Sequence, residues 1–389
     1  MALSKINVEQ TNNRIRANKA MKMFLSKCVN TMTSTSRSRV VNRHSLRCKL
    51  CTATRHAFVM VRHTLFLCLL GTGCIASALA DYSQHPAAAP VIATLVEDHG
   101  MSRDEVMQIL ANASTEQRIL DSMANAAEKT KTWTAYRSSF LTPVRIDGGV
   151  DFLREYAQIL QQVEQEYGVP RQVIAAIVGV ETNYGGYTGK ANVLNALATL
   201  AFEHPRRTKF FSSELVEYIV LCTEQGWQAD QQLGSYAGAM GMSQFMPSNY
   251  RKLAIDGDEN GVADLHHPTD AIHSVANYLT HHGWQSGELV AARAAVNEGF
   301  DPVVIGRGLR PNFSLDELSS RGYHSQRAVE GATMARVVRF NDADGDEFWL
   351  GFNNFYVISR YNPRSKYALA VYLLSEEILR SAAAQNASS

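Results

Sequence analysis

The chain has 389 residues, a length that predicts two or three domains. Hydrophobic residues make up 46% and charged residues 19%, a composition that excludes an intrinsically disordered protein. The formal net charge of +1 combines two unlike parts: residues 1–63 contain 13 basic residues and one acidic residue, whereas residues 81–389 contain 25 basic and 36 acidic residues. Such an acidic body lacks a broad basic surface, so we expect no nucleic-acid partner.

A secretory signal peptide is predicted at residues 60–80. A short basic start precedes the apolar run Leu65–Leu70, and small residues follow up to Ala80. The apolar run is too short to form a helix that crosses a membrane. We expect cleavage after Ala80 and a soluble form in the periplasm or cell envelope, and the alternative is an outer-membrane form with a lipid anchor at Cys74. Residues 1–59 are a leader of uncertain role and do not enter the fold prediction.

Helical periodicity dominates the chain after the signal peptide. Apolar residues recur at three- and four-residue spacing in segments 91–128, 150–167, 171–181, 191–203, 211–225 and 269–282. The spacing changes near residue 285, and short alternating stretches at 335–340 and 348–352 predict strands. The acidic stretch between them, 341–347, predicts a hairpin turn, with weak cation binding as the alternative. A helix is predicted again at 367–379.

These patterns predict a mainly α (α+β) protein with four parts after the signal peptide. The expected parts are an N-terminal helical region at 81–148, a helical core at 149–285, a small β-rich insertion at 286–350 and a C-terminal segment at 351–389. The body contains one cysteine, Cys222, and so it has no disulfide framework.

A carboxylate follows an apolar helix in the middle of the core. Residues 173–180 are apolar on every side, which predicts a helix that is buried all round. Glu181 comes next, before a glycine-rich turn. If aliphatic side chains surround it, its neutral form is favoured, as a general acid for glycosidic cleavage requires. The alternative from this local pattern is a glutamate that emerges into solvent at a helix end.

The surrounding motifs resemble those of a known family. The stretch 179–185 (GVETNYG) is similar to the catalytic motif of the B-type lytic murein transglycosylases, lysozyme-like enzymes that act on peptidoglycan. Further similar stretches follow in the family's order, at 196–202, 205–207, 234–241, 244–248, 270–284 and 354–362. The resemblance runs from about Trp133 to Leu374, and it implies a lysozyme-like helical core.

The resemblance also implies roles for individual residues. Glu181 corresponds to the family's lone catalytic acid/base. The implied substrate-binding residues are Ser235 and Gln244 near the acid, the basic pair Arg206 and Arg207, and the groove residues Tyr136, Tyr278, Tyr361, Asn362 and Tyr367. Adjacent guanidinium groups suit the carboxylates of peptidoglycan. A tyrosine offers a ring face and a hydroxyl to a sugar, and ordinary packing is the alternative for each of them. Tyr184 stands where some relatives carry Trp and is expected to keep an aromatic wall.

An acidic loop at 256–270 resembles an EF-hand. Residues 256–264 read D-x-D-x-N-G-x-x-D, with oxygen donors at positions 1, 3 and 5 and glycine at position 6. Position 12 is His267 instead of the bidentate glutamate, and Asp270 matches the closing ligand of the family's lengthened loop. We predict one structural, non-catalytic Ca²⁺ with the ligands Asp256, Asp258, Asn260, the Val262 carbonyl and Asp270. The alternative is an acid-rich surface turn.

The activity that the resemblance implies is non-hydrolytic cleavage of the β-1,4 bond between N-acetylmuramic acid and N-acetylglucosamine, with a 1,6-anhydromuramic end. Glu181 would suffice as sole acid/base, because the attacking nucleophile is the substrate's own 6-hydroxyl. The alternatives are a hydrolytic muramidase, for which Glu203 and Glu214 lie nearby in the chain, and a non-catalytic murein-binding scaffold. The expected partners are peptidoglycan glycan strands, with envelope proteins as further candidates, and we expect a monomer.

Overall fold

The computed structural model describes residues 81–124, 131–306, 308–331, 333–342 and 345–388. The predicted leader, the signal peptide and Cys74 lie outside these residues. Within them the chain forms 14 α-helices and two small sheets, which confirms the predicted mainly α (α+β) class. No helix in these ranges has both the length and the apolar character needed to span a membrane.

The N-terminal part consists of short helices with side-chain caps. The bounds are α1 Ala89–Glu97, α2 Arg103–Ala111, α3 Gln117–Ala124 and α4 Trp133–Arg137. Ser102 caps α2 by accepting the N–H of Glu105, and Thr132 caps α4 by accepting the N–H of Ala135. The segment predicted as helical at 91–128 is therefore three separate helices as far as Ala124, each with an apolar side in the core.

The central helices carry the site. Their bounds are α5 Pro143–Glu155, α6 Ala157–Tyr167, α7 Arg171–Thr182, α8 Val193–Glu203, α9 Thr208–Gln225, α10 Pro247–Leu253 and α11 Pro268–His281. The helices predicted at 171–181, 191–203, 211–225 and 269–282 are confirmed to within three residues at each end. Every residue of α7 from Val173 to Gly179 is buried, as its apolar sequence predicts. Helix α10 has no counterpart among the predicted elements.

The helix predicted at 150–167 differs from the structure at both its start and its middle. Helix α5 begins seven residues earlier, at Pro143, and the chain breaks at Tyr156 before α6. Gly148 and Gly149 lie inside α5, and neighbouring side chains occupy the space that a Cβ would need at each of them. A Cβ on Gly149 would lie 2.4 Å from Ile378 Cδ1 and 2.7 Å from the Tyr184 hydroxyl. These glycines serve close packing and do not end a helix.

Five antiparallel strands form the larger sheet in the order β4-β6-β7-β3-β5. Their bounds are β3 Ala291–Val296, β4 Phe313–Ser314, β5 Tyr323–Ser325, β6 Met334–Asp342 and β7 Gly345–Gly351, with helix α12, Leu315–Ser320, between β4 and β5. The strands predicted at 335–340 and 348–352 are confirmed as parts of β6 and β7. The predicted hairpin is confirmed as well, since Asp342 pairs with Gly345. The small sheet pairs β1, Ala191–Asn192, with β2, Leu233–Gly234.

The larger sheet separates two apolar cores. Successive side chains of a strand point to opposite faces, so Val337 and Leu350 join a small core around α12, whereas Val338 and Trp349 join the main helical core. The β-rich part therefore buries one face of its own and closes one side of the helical body with the other.

The C-terminal helices return to the centre of the molecule. They are α13, Asn353–Tyr361, and α14, Ser365–Ser388. Helix α14 packs against α5, α7 and α13. This packing places Tyr367, near the start of α14, beside the carboxyl end of α7.

Candidate active site

Thr182 ties the carboxyl end of α7 to neighbouring segments. The Thr182 hydroxyl lies 3.1 Å from the carbonyl oxygens of Val178 and Met242, and it accepts the N–H of Gly185 at 3.0 Å. Its side chain is buried. These contacts tie the last turn of the helix to the segment 240–245, and they orient Glu181, the preceding residue, which is half-buried.

Tyr367 forms the direct contact with the catalytic candidate. Its hydroxyl donates to Glu181 Oε1 at 2.6 Å, the short distance typical of a hydrogen bond to a charged acceptor. The Tyr367 ring is 2% exposed and stacks on Tyr361 with centroids 6.5 Å apart. The structure thus brings together two of the residues that the resemblance implied.

Two further tyrosines complete a cluster around the carboxylate. The rings of Tyr278 and Tyr361 lie 4.6 Å apart, and Phe245 packs against both. The Tyr361 hydroxyl donates to the Ser243 carbonyl at 2.8 Å, and the Tyr278 hydroxyl donates to the Arg360 carbonyl at 2.6 Å. We call Glu181, Tyr278, Tyr361 and Tyr367 the acid cluster.

Burial keeps the tyrosines of the acid cluster protonated. It raises the pKa of Tyr278 to about 12 and raises the pKa values of Tyr361 and Tyr367 well above their ordinary range, and the negative charge of Glu181 adds to each effect. At neutral pH these hydroxyls are hydrogen-bond donors and none of them can act as a base. Among the four side chains of this cluster, the Glu181 carboxyl is therefore the candidate for proton exchange.

A packed tyrosine supports the strained turn after Glu181. Asn183 and Tyr184 have φ values of 52° and 61°, in the left-handed region that non-glycine residues seldom occupy. The Tyr184 ring fits against Gly148–Gly149 and Gly179, where any Cβ would lie within 3 Å of it. Its hydroxyl donates to the Arg145 carbonyl at 2.7 Å, and the Arg145 guanidinium donates to the Gly179 carbonyl.

Tyr184 therefore packs beneath the helix end, whereas its motif suggested an aromatic wall. Arg145 was not predicted, because it belongs to no motif and lies 34 residues before Gly179, whose carbonyl it contacts.

Ser235 and Gln244 shape the loops beside α7. The Gln244 amide donates to the carbonyl oxygens of Thr188 at 3.0 Å and Gly241 at 2.8 Å, so that it joins two loops. The Ser235 hydroxyl accepts the N–H groups of Ala237 and Ala239 in the turn after β2. Each side chain has a local structural task that is compatible with a further contact to a ligand.

The remaining predicted groove residues lie on different elements. Arg206 and Arg207 are exposed before α9, with both backbone N–H groups bonded to His204 Nδ1. Tyr136 on α4 is 3% exposed. The pKa of Tyr367 is raised mainly by burial and by the charge of Glu181, and the nearby Tyr136 adds to this effect. Asn362 ends α13, directly after Tyr361.

Both carboxylates that were candidates for a second catalytic acid have other partners. Glu214 is 5% exposed. Its carboxyl oxygens accept the backbone N–H of Ser248 at 3.0 Å and the hydroxyl of Ser248 at 2.7 Å. This contact caps α10, whose own N-cap residue, Met246, forms no side-chain hydrogen bond. Burial raises the pKa of Glu214 despite these bonds. Glu203 lies 3.7 Å from His85.

The EF-hand-like loop is organised by its own carboxylates. Asp256 accepts the N–H groups of Asn260 and Gly261 at 3.1 and 2.7 Å. Asp270, fully buried at the start of α11, accepts the N–H groups of Gly257 at 2.9 Å and Asp264 at 2.7 Å. Asp270 thereby fastens both ends of the loop to one helix.

Three side chains of the loop converge on a position where a cation could bind. Ligand atoms of Asp258, His267 and Asp270 all lie within 4.8 Å of one another, and His267 Nδ1 is 3.3 Å from Asp258 Oδ2. Carboxylate oxygens are the donors that Ca²⁺ prefers, so the loop fits a calcium ion. His267 was not among the predicted ligands.

A comparison with known families supplies the identity. A family model described as the transglycosylase SLT domain matches residues 83–376. The chain belongs to the transglycosylase SLT domain family. Members of this family are enzymes, and this transglycosylase has the helical, lysozyme-like fold that the motifs implied.

Named relatives cover most of the chain. This transglycosylase is 36% identical over 307 residues to membrane-bound lytic murein transglycosylase B of Escherichia coli. The matched residues make up 77% of this chain and 84% of the relative. The crystal structure of soluble lytic transglycosylase SltB1 from Pseudomonas aeruginosa matches this fold with a TM-score of 0.71 and a sequence identity of 41%. The match covers 76% of this chain and 99% of the SltB1 chain.

Two further solved structures contain ligands. Escherichia coli lytic transglycosylase Slt35 in complex with calcium is 36% identical, with a TM-score of 0.71, and covers 78% of this chain and 96% of that one. SltB3 from Pseudomonas aeruginosa, in complex with NAG-NAM-pentapeptide, is 29% identical, with a TM-score of 0.66, and covers 74% and 78% of the two chains.

Proposed function

We propose that this transglycosylase cleaves the β-1,4 bond between N-acetylmuramic acid and N-acetylglucosamine in peptidoglycan and leaves a 1,6-anhydromuramic end. The observation that carries the proposal is the Glu181 carboxyl group, held at 2.6 Å by the hydroxyl of the buried Tyr367, with Tyr278 and Tyr361 beside it. The relatives support the substrate class, since one is named a murein transglycosylase and another binds NAG-NAM-pentapeptide.

Glu181 carries out both proton transfers. The protonated carboxyl first donates to the glycosidic oxygen, and the bond to the muramic anomeric carbon breaks. The resulting carboxylate then takes the proton of the muramic 6-hydroxyl, whose oxygen bonds to that anomeric carbon. No water is consumed, and the enzyme regains its proton. Tyr367 fixes the carboxyl group for both steps, because its hydroxyl stays protonated throughout.

The state of the nearby acids supports a mechanism with one carboxylate. Glu214 is bonded to Ser248, and Glu203 lies against His85. A hydrolytic muramidase needs a second carboxylate to activate water or to stabilise the intermediate. Glu214 would have to break both of its hydrogen bonds to Ser248 to serve in that role, and we favour the transglycosylase reaction over hydrolysis.

We assign the substrate groove to the residues that the motifs named. Exposed Arg206 and Arg207 would bind carboxylates of the glycan or its stem peptide. Tyr136, Tyr278 and Tyr367 are too deeply buried to offer a whole ring face, so we place them in the floor of the groove, with Tyr361 and Asn362. Ser235 and Gln244 would contact the sugars from the loops beside α7.

We propose that the loop at 256–270 binds one structural calcium ion through Asp256, Asp258, Asn260, the Val262 carbonyl and Asp270. Calcium in the Slt35 structure supports this proposal. The ion would neutralise the acidic side chains of the loop and take no part in the reaction.

The substrate places the enzyme in the cell envelope. Release after Ala80 yields the soluble form that we favour over a lipid anchor at Cys74. We propose that the mature chain consists of four parts, at 81–148, 149–285, 286–350 and 351–389.

The test is product analysis by mass spectrometry after residues 81–389 digest purified peptidoglycan. We expect anhydro-ended muropeptides from the wild type and at least about a hundredfold less product from Glu181→Gln, the loss expected for a general acid. Glu203→Gln is the matched control and should retain activity. Reducing-ended products would establish the muramidase instead, and binding without cleavage by any variant would establish the scaffold.

A further inference from the structure

The histidine at position 12 of the EF-hand-like loop has no role in the calcium site proposed above. His267 lies directly before α11, and its side chain is 48% exposed, within reach of ions in solution. Its Nδ1 points to Asp258 Oδ2, 3.3 Å away, and both atoms lie within 4.8 Å of an Asp270 carboxylate oxygen. Two ligands side by side on one cation are about 3 Å apart when their bonds are about 2.1 Å long. This arrangement thus matches a pair of metal ligands.

A nitrogen donor changes the choice of metal. Calcium binds oxygen donors almost exclusively, so an imidazole at this position adds little to its affinity. Divalent first-row transition metals accept imidazole together with carboxylates, and a nitrogen donor strengthens their binding from Mn²⁺ towards Cu²⁺. A loop with two carboxylates and one imidazole at its mouth therefore resembles a mixed-donor site.

We propose that His267 is a metal ligand that makes this loop a site for a divalent first-row transition metal, which competes there with calcium. The inference rests on the proposed metal loop and adds a ligand and a metal class to it. His267 and Asp258 bind from the exposed side, and Asp270 binds from the buried side, where its backbone hydrogen bonds hold the loop closed.

The backbone around the site is already shaped for a ligand. Asp256 fixes the turn at Asn260 and Gly261, and Gly261 has a φ of 95°, which a side chain would strain. The loop therefore does not have to fold upon binding. Replacement of the histidine should change the affinity for the metal without unfolding the loop.

The experiment measures Co²⁺ and Ca²⁺ binding to the full chain by titration calorimetry. Co²⁺ is the probe because its visible spectrum also reports nitrogen ligation. The variants are His267→Gln and the matched control His266→Gln, an exposed neighbour. We expect His267→Gln to weaken Co²⁺ binding at least about tenfold, to leave Ca²⁺ binding within about twofold and to remove the nitrogen-dependent change in the Co²⁺ spectrum. His266→Gln should match the wild type.

The outcomes separate this inference from the calcium proposal. Equal Co²⁺ affinity in the wild type and in His267→Gln would overturn the role of His267, whether or not calcium binds. Calcium binding that Asp256→Ala abolishes, together with that equality, would leave the calcium site standing alone. If neither ion binds to the wild type, both proposals are wrong.

Discussion

At the scale of single residues, the reaction that we propose for the acid cluster depends on one hydroxyl. Tyr367 donates to Glu181 from 186 positions further along the chain. The bond favours a fixed carboxyl orientation, and the high pKa of the buried tyrosine prevents it from giving up its proton. A hydrogen bond to a charged group is worth about 1.5–3 kcal/mol, which corresponds to about 10–100-fold in rate if it is fully used in the transition state.

Tyr367→Phe should therefore lower kcat by about 10–100-fold with little change in KM. The ring remains, so the melting temperature should change little. Steady-state kinetics on soluble glycan fragments would measure both parameters. Tyr218→Phe is the control, because that buried hydroxyl donates to the Ala229 carbonyl and has no role in the proposed reaction. Equal kcat values in the wild type and Tyr367→Phe would exclude a catalytic contribution of the hydroxyl.

Gly179→Ala tests the packing of Tyr184 against the carboxyl end of α7. The new Cβ would lie 2.6 Å from the Tyr184 ring and hydroxyl, so that ring would have to move and release Arg145. We expect a loss of about 1–3 kcal/mol in the free energy of unfolding, typical of overpacking, together with reduced kcat. Denaturant unfolding and kinetics measure the two effects. A Gly179→Ala protein with wild-type activity would disprove the positioning role of this contact.

At the scale of elements, the joint between α9 and α10 depends on a buried carboxyl group, that of Glu214. Glu214 supplies the acceptor that the first turn of α10 lacks, and the segment between these helices contains Ser235 and Gln244. Burial raises the pKa of Glu214 above its ordinary value of 4.5, so the folded protein binds the proton more tightly than the unfolded chain does. The stability that this difference contributes is fully present below pH 4.5 and is lost as the pH rises through the higher folded value.

Glu214→Gln should remove this pH dependence. The free energy of unfolding of the wild type, relative to that of the variant, is expected to fall as the pH rises from 4.5 to neutral values. Urea unfolding of both proteins at several pH values measures the difference. A constant difference across this range would mean that Glu214 titrates alike in the folded and unfolded states.

At the scale of the whole molecule, the EF-hand-like loop joins regions that are distant in the chain. Asp270 holds the loop to α11, and Tyr278 on the same helix belongs to the acid cluster. The Met242 carbonyl accepts the hydroxyl of Thr182, the residue after Glu181. The N–H of Met242 donates to the Leu265 carbonyl within the loop at 2.7 Å. A bound cation would therefore stabilise the framework of the site without touching the substrate.

Calcium should raise the melting temperature of the whole enzyme. Saturation at 100 times the dissociation constant adds about 2.7 kcal/mol of stability, enough for a shift of several degrees. Asp256→Ala should abolish the shift, whereas Asp104→Ala, an exposed acid on α2, should retain it. Differential scanning calorimetry with and without calcium measures it. An unchanged melting temperature of the wild type upon addition of calcium would show that calcium does not stabilise this protein.

Local sequence patterns were sufficient for much of the fold. The apolar run before Glu181 predicted a helix buried on all sides, because no face of it carries a polar group. Alternation predicted β6 and β7, and the spacing of oxygen donors marked the EF-hand-like loop. These features depend on near neighbours in the chain, so periodicity and turn chemistry reveal them. The resemblance to the family then marked Glu181 within its motif.

Tertiary packing decided which of these groups meet. The Tyr184 ring leaves no room for a side chain at Gly148–Gly149, and the contact with Ser248 engages the Glu214 carboxyl. The Tyr367–Glu181 bond and the approach of His267 to Asp258 likewise require elements to pack first. A sequence by itself determined where a helix ends and a carboxylate stands; only the packed chain determined what lies within hydrogen-bond distance of that carboxylate, because such contacts depend on side-chain volumes from distant segments.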